Sequence, residues 1–292
     1  MDRVDTFSTY NPILNFAYFI GAIGLGMIFM HPLFLVVNLV GAFAYALTQD
    51  PKKVKKLMPL VVIMFTLITL INPLLNTNGK TVLFTWLHGR PYTLESMCWG
   101  MVTGSMFAAI IIWFAAYNHV MTSDKFVYLF GKVVPSISLV LTMILRLIPN
   151  FQKKANQIMA ARASIGMTEK NMENVSAVFS ALTGWALEGG IVTADSMRAR
   201  GYGSGNRTTF SIYRFDKRDV AMLVAMFVLI SGCVVCALMG GAEVTFVPDI
   251  QTAPITNMAT ALGIICYGLF LLIPIVLNTV EALRWHILRS RI

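Results

Sequence analysis

The sequence predicts an all-α, polytopic membrane protein with about six transmembrane helices and a cytoplasmic block of amphipathic helices. Three observations carry this. Of 292 residues, 57% are hydrophobic and only 13% are charged, against roughly 25% charged in soluble domains. The mean hydropathy is +0.69. The apolar residues also fall into six runs long enough, or nearly so, for the ~20 residues that a spanning helix needs.

The spans are read in chain order as Ile13 to Met30, Leu33 to Leu47, Leu57 to Ile71, Leu94 to Tyr117, Val220 to Leu238 and Asn257 to Leu277. His31-Pro32 separates the first two into a tight helical hairpin, in which Gly21, Gly24, Gly26 and Gly41 would allow close helix contact. Gln49 to Lys56 reads as a basic loop. Asn72 to Tyr92 reads as a polar connector with Asn-Pro and Asn-Gly turn signals. The N-terminus carries Asp2 and Asp5 beside Arg3 and has no basic n-region. The first span is therefore expected to remain rather than be cleaved as a signal peptide.

Between the fourth and fifth spans, Asn118 to Asp219 changes character. It holds thirteen of the Lys and Arg residues and seven acids. The chain thus divides into N-terminal spans (1–117), a charged helical block (118–219), and C-terminal spans with a basic tail (220–292). Within the block, Phe126 to Ile148 is apolar, but Lys132, Pro135 and Arg146 argue against a simple span, since charge at membrane depth is expensive. It reads as an amphipathic or partly embedded helix ending at Pro149, followed by a helix over Phe151 to Ser164. Thr168 and Glu169 suit the start of a further helix. That helix carries Val175, Val178, Phe179, Leu182, Trp185 and Ala186 at helical spacing as packing residues, with Gly189-Gly190 as a candidate kink.

Charge sets the expected orientation. With both termini and the block in the cytoplasm, 21 of the 23 basic residues lie inside, and only Lys80 and Arg90 lie outside. This is the positive-inside pattern. It assigns the net charge of +9 to topology rather than to nucleic acid.

Little in the chain reads as catalytic machinery. Cys98, Cys233, Cys236 and Cys266 fall in or near apolar runs and read as small buried hydrophobes. His31, His88, His119 and His286 form no local ligand pair. Gly201-Tyr202-Gly203-Ser204-Gly205 lacks the lysine of a phosphate-binding loop. No metalloprotease motif or nucleophile elbow is present. No metal and no cofactor is expected in this chain. Glu188 and Asp195 lie seven apart on one helical face and are the residues around which a lipid-modifying enzyme would be argued. Glu95 reads as an interface residue.

What remains is a repeated motif. Ala160-Ala161-Arg162-Ala163-Ser164-Ile165-Gly166 and Ala194-Asp195-Ser196-Met197-Arg198-Ala199-Arg200-Gly201-Tyr202-Gly203 each read as the last turn of a helix. A cation is favoured there by the helix dipole, and a glycine follows to adopt the left-handed cap. Small neighbours let another backbone approach, and an arginine on such a platform can fork onto a carboxylate.

On these residues, nearly the whole chain resembles the transmembrane T component of energy-coupling factor (ECF) transporters. The related cobalt-transport permease of the same family is a close second match, and a conventional ABC permease that binds substrate itself is a further alternative. The family's two Ala-Arg-Gly-like motifs correspond to Ala161-Arg162-Ala163 and Ala199-Arg200-Gly201. Leu145-Arg146-Leu147-Ile148-Pro149 and Thr93-Leu94-Glu95 give further support. Ala163 departs from the glycine often found in the family. The resemblance implies a noncatalytic coupling subunit in the plasma membrane of a bacterium. Two ABC-type ATPases, which hold ATP and magnesium, would each receive one arginine motif. An integral-membrane substrate-binding S component for a vitamin or metal ion would rest on the apolar faces of the coupling helices.

Overall fold

The computed structural model describes residues 5–76, 79–86, 90–131, 135–167, 172–202, 213, 215–246 and 250–289. It is an all-α, multi-pass membrane protein, in agreement with the sequence. Among the described residues, nine α-helices and two short hairpins form two compact units, 1–122 with 213–292 and 123–212.

The first unit begins with a 3-10 turn, Thr6–Thr9, and α1, Pro12–Ile28. His31 then caps α2, Pro32–Gln49: its Nδ1 accepts from Leu33 N at 3.3 Å. The ring proton is therefore on Nε2, which donates to Ala253 O at 3.1 Å. Asp50 starts α3, Pro51–Leu75, with Oδ1 accepting from Lys52 N and Lys53 N. Proline at the first helical position and an aspartate cap are strong start signals, so the lysine run expected as a loop forms the opening turns of this helix.

The polar connector holds a hairpin, β1 (Val82–Trp86) against β2 (Arg90–Thr93), with Phe84 stacked on Tyr92. Glu95, expected at the interface, is buried. Its carboxylate accepts from Lys80 N, Thr81 N and the Thr81 hydroxyl, tying the hairpin to the start of α4, Leu94–Val120.

After the second unit, α8 (Lys217–Cys236) opens on a capping box between Asp216 and Asp219. It ends in a π turn, Ala237–Gly241. A second hairpin, β3 (Val244–Thr245) with β4 (Gln251–Thr252), leads to α9, Met258–Arg289. This last helix runs well beyond the expected Leu277, through Pro274.

Five of the six expected spans are helices long and apolar enough to cross a membrane. The first, α1, has 17 residues. It spans ~26 Å, short of the ~30 Å hydrocarbon core. The sixth helix of sufficient length and apolarity lies instead in the second unit, over Asn174–Ala199.

The core of the first unit is aromatic. Tyr18, Phe19, Tyr45, Trp113 and Phe270 are almost fully buried and meet at edge-on or tilted angles. Trp113 Nε1 donates to Asn38 Oδ1 at 2.8 Å. Asp5 is buried beside this core. Its Oδ2 accepts from Tyr45 OH at 3.0 Å and Gln49 Nε2 at 3.1 Å, and its Oδ1 from Asn278 Nδ2 at 2.7 Å. The N-terminal turn is thereby pinned to α2 and α9.

Glycine sets the helix spacing, in part where the sequence suggested: on α1, a Cβ at Gly26 would collide with the Asn38 amide of α2, as a tight hairpin requires. Space at Gly21 and Gly41 is filled by Phe270 and Leu271 of α9, and nothing lies within 4 Å of Gly24. A close backbone approach also occurs between α3 and α4. A Cβ on Gly100 would sit 2.9 Å from Thr69 O, and one on Gly104 would sit 3.1 Å from Phe65 O.

The second unit contains α5 (Ser123–Gly131), α6 (Pro135–Ser164) and α7 (Met172–Ala199). The segment expected as one helix ending at Pro149 is divided between α5 and α6. Pro149 lies inside α6, which continues through Phe151. A proline there forfeits one backbone hydrogen bond, and contacts beyond it hold the helix on. Phe151 meets Trp185 of α7 edge-on at 5.6 Å between centroids, and Lys154 Nζ lies 5.8 Å over the same ring. No break occurs in α7 at Gly189-Gly190. Thr168 and Glu169 lie outside the described residues.

Candidate functional site

Both arginine-bearing segments end their helices in the same way. At the end of α6, Met167 N donates to Arg162 O and Gly166 N donates to Ala163 O, each at 3.0 Å. At the end of α7, Tyr202 N donates to Met197 O and Gly201 N to Arg198 O, again at 3.0 Å. These paired bonds define a Schellman cap. Gly166 (φ 87°) and Gly201 (φ 76°) supply the left-handed residue that closes each one, a conformation costing other residues roughly 1–2 kcal/mol.

The caps repeat, but the arginines do not share a register. Arg162 stands four residues before its glycine, on the last helical turn, whereas Arg200 immediately precedes its own. Superposed by cap, Arg162 corresponds to Met197, and Arg200 to Ile165. Their surroundings differ accordingly. Arg162 is half-buried, and its Nε donates to Asn174 Oδ1 at 2.6 Å. Asn174 in turn donates from Nδ2 to Met167 O at 3.0 Å. The first arginine is thus held against the start of α7. Asn174 escaped the sequence reading because an Asn early in a helix is an ordinary starting residue, and only the antiparallel return of α7 brings it to Arg162. By contrast, Arg200 is exposed, as are Ala161, Ala163, Ala199 and Gly201.

The hairpin also separates the two motifs. Asn174 meets Arg162 and Trp185 meets Phe151, so α7 runs back along α6. The 26 residues from Asn174 to Arg200 rise roughly 39 Å along α7. Each arginine therefore marks its own end of a long helical pair.

The apolar residues of α7 fall into a half-buried set and an exposed set. Val178, Leu182, Trp185 and Ala186 are half-buried on the side of α6. Val175 and Phe179, read from the sequence as packing residues, are exposed, together with Leu187 and Ile191 further along. Much of the apolar surface of α7 is therefore exposed.

The chain matches no protein-family model and no curated protein.

Glu188 and Asp195 are both exposed on α7. The four cysteines are free, with Cys233 buried between α8 and α9, its Sγ 3.9 Å from Gly263 O. Among the described residues, no group of three His, Cys, Asp or Glu side chains is placed to hold a metal ion.

Proposed function

We propose that this chain is the noncatalytic transmembrane coupling subunit of an ECF-type ABC importer. It transmits the motion of two ATPase subunits to a membrane-embedded, substrate-binding S component for a vitamin or metal ion. The single observation that carries this reading is the pair of Schellman-capped helix ends, each bearing an arginine among small residues, roughly 39 Å apart along α7. One arginine at each end suits two partners that move relative to one another. A single ligand site would require them together.

The exposed apolar surface of α7 supports the second half of the proposal. If α7 itself crossed the bilayer, the basic residues before it (Lys125 to Lys170) and after it (Arg198 to Arg218) would lie on opposite sides, against the positive-inside pattern. Keeping α7 on the cytoplasmic side, with both termini, satisfies that pattern, and it requires α1, at the lower limit of length for a span, to be the sixth crossing. Val175, Phe179, Leu187 and Ile191 then become a bed for another hydrophobic protein.

Affinity purification of the chain from its native membrane in mild detergent, followed by mass spectrometry, tests the reading. Two ABC ATPase chains and a small hydrophobic membrane protein are expected. Exchanging both Arg162 and Arg200 for alanine should remove the ATPases, since losing one paired, desolvated arginine costs about 2–5 kcal/mol. Full transport by an intact complex carrying both substitutions would refute the assignment. ATPases recovered with a soluble binding protein would favour a conventional ABC permease.

A further inference from the structure

A cleft of about 130 Å³ opens where the end of α2, the start of α3 and the end of α4 meet. Its walls are apolar: Val54, Leu57, Met58 and Val61 of α3 face Ile112 and Ala115 of α4. Its mouth is not. Gln49, Lys53 and His119 stand there, with Asp50 beside them. Lys52, Lys55 and Lys56 are exposed on the same opening turns of α3 as Lys53. Asp50 offers limited compensation: its Oδ1 is engaged by the backbone N–H groups of Lys52 and Lys53, and its Oδ2 lies 4.0 Å from Lys53 Nζ. The N-terminal end of α3 adds the positive pole of its dipole.

We propose that this cleft binds an anionic phospholipid of the surrounding bilayer. The headgroup phosphate sits over the Lys53 side of the mouth and the start of an acyl chain lies between α3 and α4. Three features select that occupant. The space is several times what one water needs, and its apolar walls offer water no hydrogen-bond partners, so the inner part of the cleft suits hydrocarbon. The cationic mouth complements a phosphate. The cleft lies at the end of three helices, two of which (α3 and α4) continue on their outer sides as exposed Val62, Ile63 and Phe107, surface that a bilayer would cover. A lysine cluster beside a transmembrane helix attracts anionic lipid by about five-fold per charge.

The test uses the full-length chain in mild detergent, with equimolar phosphatidylglycerol and phosphatidylcholine, and counts retained lipids by native mass spectrometry. Phosphatidylglycerol should be retained at least ten-fold over phosphatidylcholine. The triple variant Lys52→Gln, Lys53→Gln, Lys56→Gln, all at exposed positions, should bring the ratio to within about two-fold. Ala115→Phe fills the cleft without altering charge and should cut phosphatidylglycerol retention as strongly. Equal retention of both lipids by the unmodified chain would overturn the proposal. So would full retention by Ala115→Phe, which would reduce the site to a lysine surface, or displacement by glycerol 3-phosphate alone at lipid-equivalent concentration.

Discussion

Replacing Gly100 by alanine should loosen the contact between α3 and α4, and the size of the effect follows from the geometry. The added Cβ would lie 2.9 Å from Thr69 O, 3.0 Å from Asn72 Cβ and 3.2 Å from Thr69 Cα. Two of these three atoms belong to the α3 backbone, so no side-chain rotation relieves the clash and the helices must move apart. Overpacking of this kind costs about 1–3 kcal/mol. Separation also strains the interhelical bonds from Thr69 Oγ1 to Gly100 O and from Asn72 Nδ2 to Thr103 Oγ1, both already 3.4 Å long. Such bonds contribute about 0.6 kcal/mol each within membranes. Against this stands a gain of roughly 0.5–1 kcal/mol for alanine over glycine in a helix. The net expectation is a loss of about 1–3 kcal/mol. Gly24→Ala is the internal control, because nothing lies within 4 Å of the new Cβ and only the helix gain remains. Thermal unfolding in detergent should place Gly100→Ala several degrees below the unmodified chain, and Gly24→Ala at or above it. Equal midpoints for the two variants would show that the α3–α4 approach is not as close as described.

Asp5→Ala frees the half-buried Gln49 Nε2 and Asn278 Nδ2 and strands the fully buried Tyr45 hydroxyl; at about 1–3 kcal/mol for that unsatisfied buried group, unfolding in detergent should begin below that of the milder Asp5→Asn. Gly166→Ala and Gly201→Ala should each cost roughly 1–2 kcal/mol at their caps, seen as faster hydrogen exchange in the last turn of α6 or α7 with the first unit unchanged. Arg162→Ala breaks a charged bond to Asn174 worth about 1.5–3 kcal/mol and should speed exchange at the start of α7, whereas Arg200→Ala should leave exchange unchanged. On the proposed function, both substitutions should weaken ATPase co-purification.

Where the sequence carried the fold, it did so through long-range hydrophobicity and strong local punctuation. His31-Pro32 divides α1 from α2, and the charged block interrupts the spans. The errors lie where local signals compete. Lys52 to Lys56 looks like loop by charge, but Asp50-Pro51 starts a helix and lysine is tolerated in one. Pro149 looks like a terminator, yet the Phe151–Trp185 contact gives α6 reason to continue past it. Of the glycines in α1 and α2 that suggested a tight hairpin, Gly26 does meet Asn38 of α2, whereas Phe270 and Leu271 of α9 fill the spaces at Gly21 and Gly41. Which neighbour fills a glycine notch is a tertiary fact that one chain's pattern does not encode. Glu95 shows the same limit, because its role depends on the hairpin folding back to bring Thr81 to its carboxylate.

The arginine segments show how a legible motif can conceal two arrangements. Gly166 and Gly201 were readable as caps because the left-handed position selects glycine so strongly. The arginine register within each cap was not equally readable, because an arginine one or four residues before a glycine satisfies the same dipole argument. The structure separates them: Arg162 is oriented by Asn174, and Arg200 projects from the turn itself. An arginine already hydrogen-bonded loses less side-chain freedom when it engages a partner, whereas an exposed one must be ordered at a cost of about 0.5–1.5 kcal/mol. On the proposed function the two ATPase contacts are therefore unequal even if the ATPases are identical. Arg162 forms the preorganised contact, and Arg200 the one more readily released as its end of α7 is drawn away.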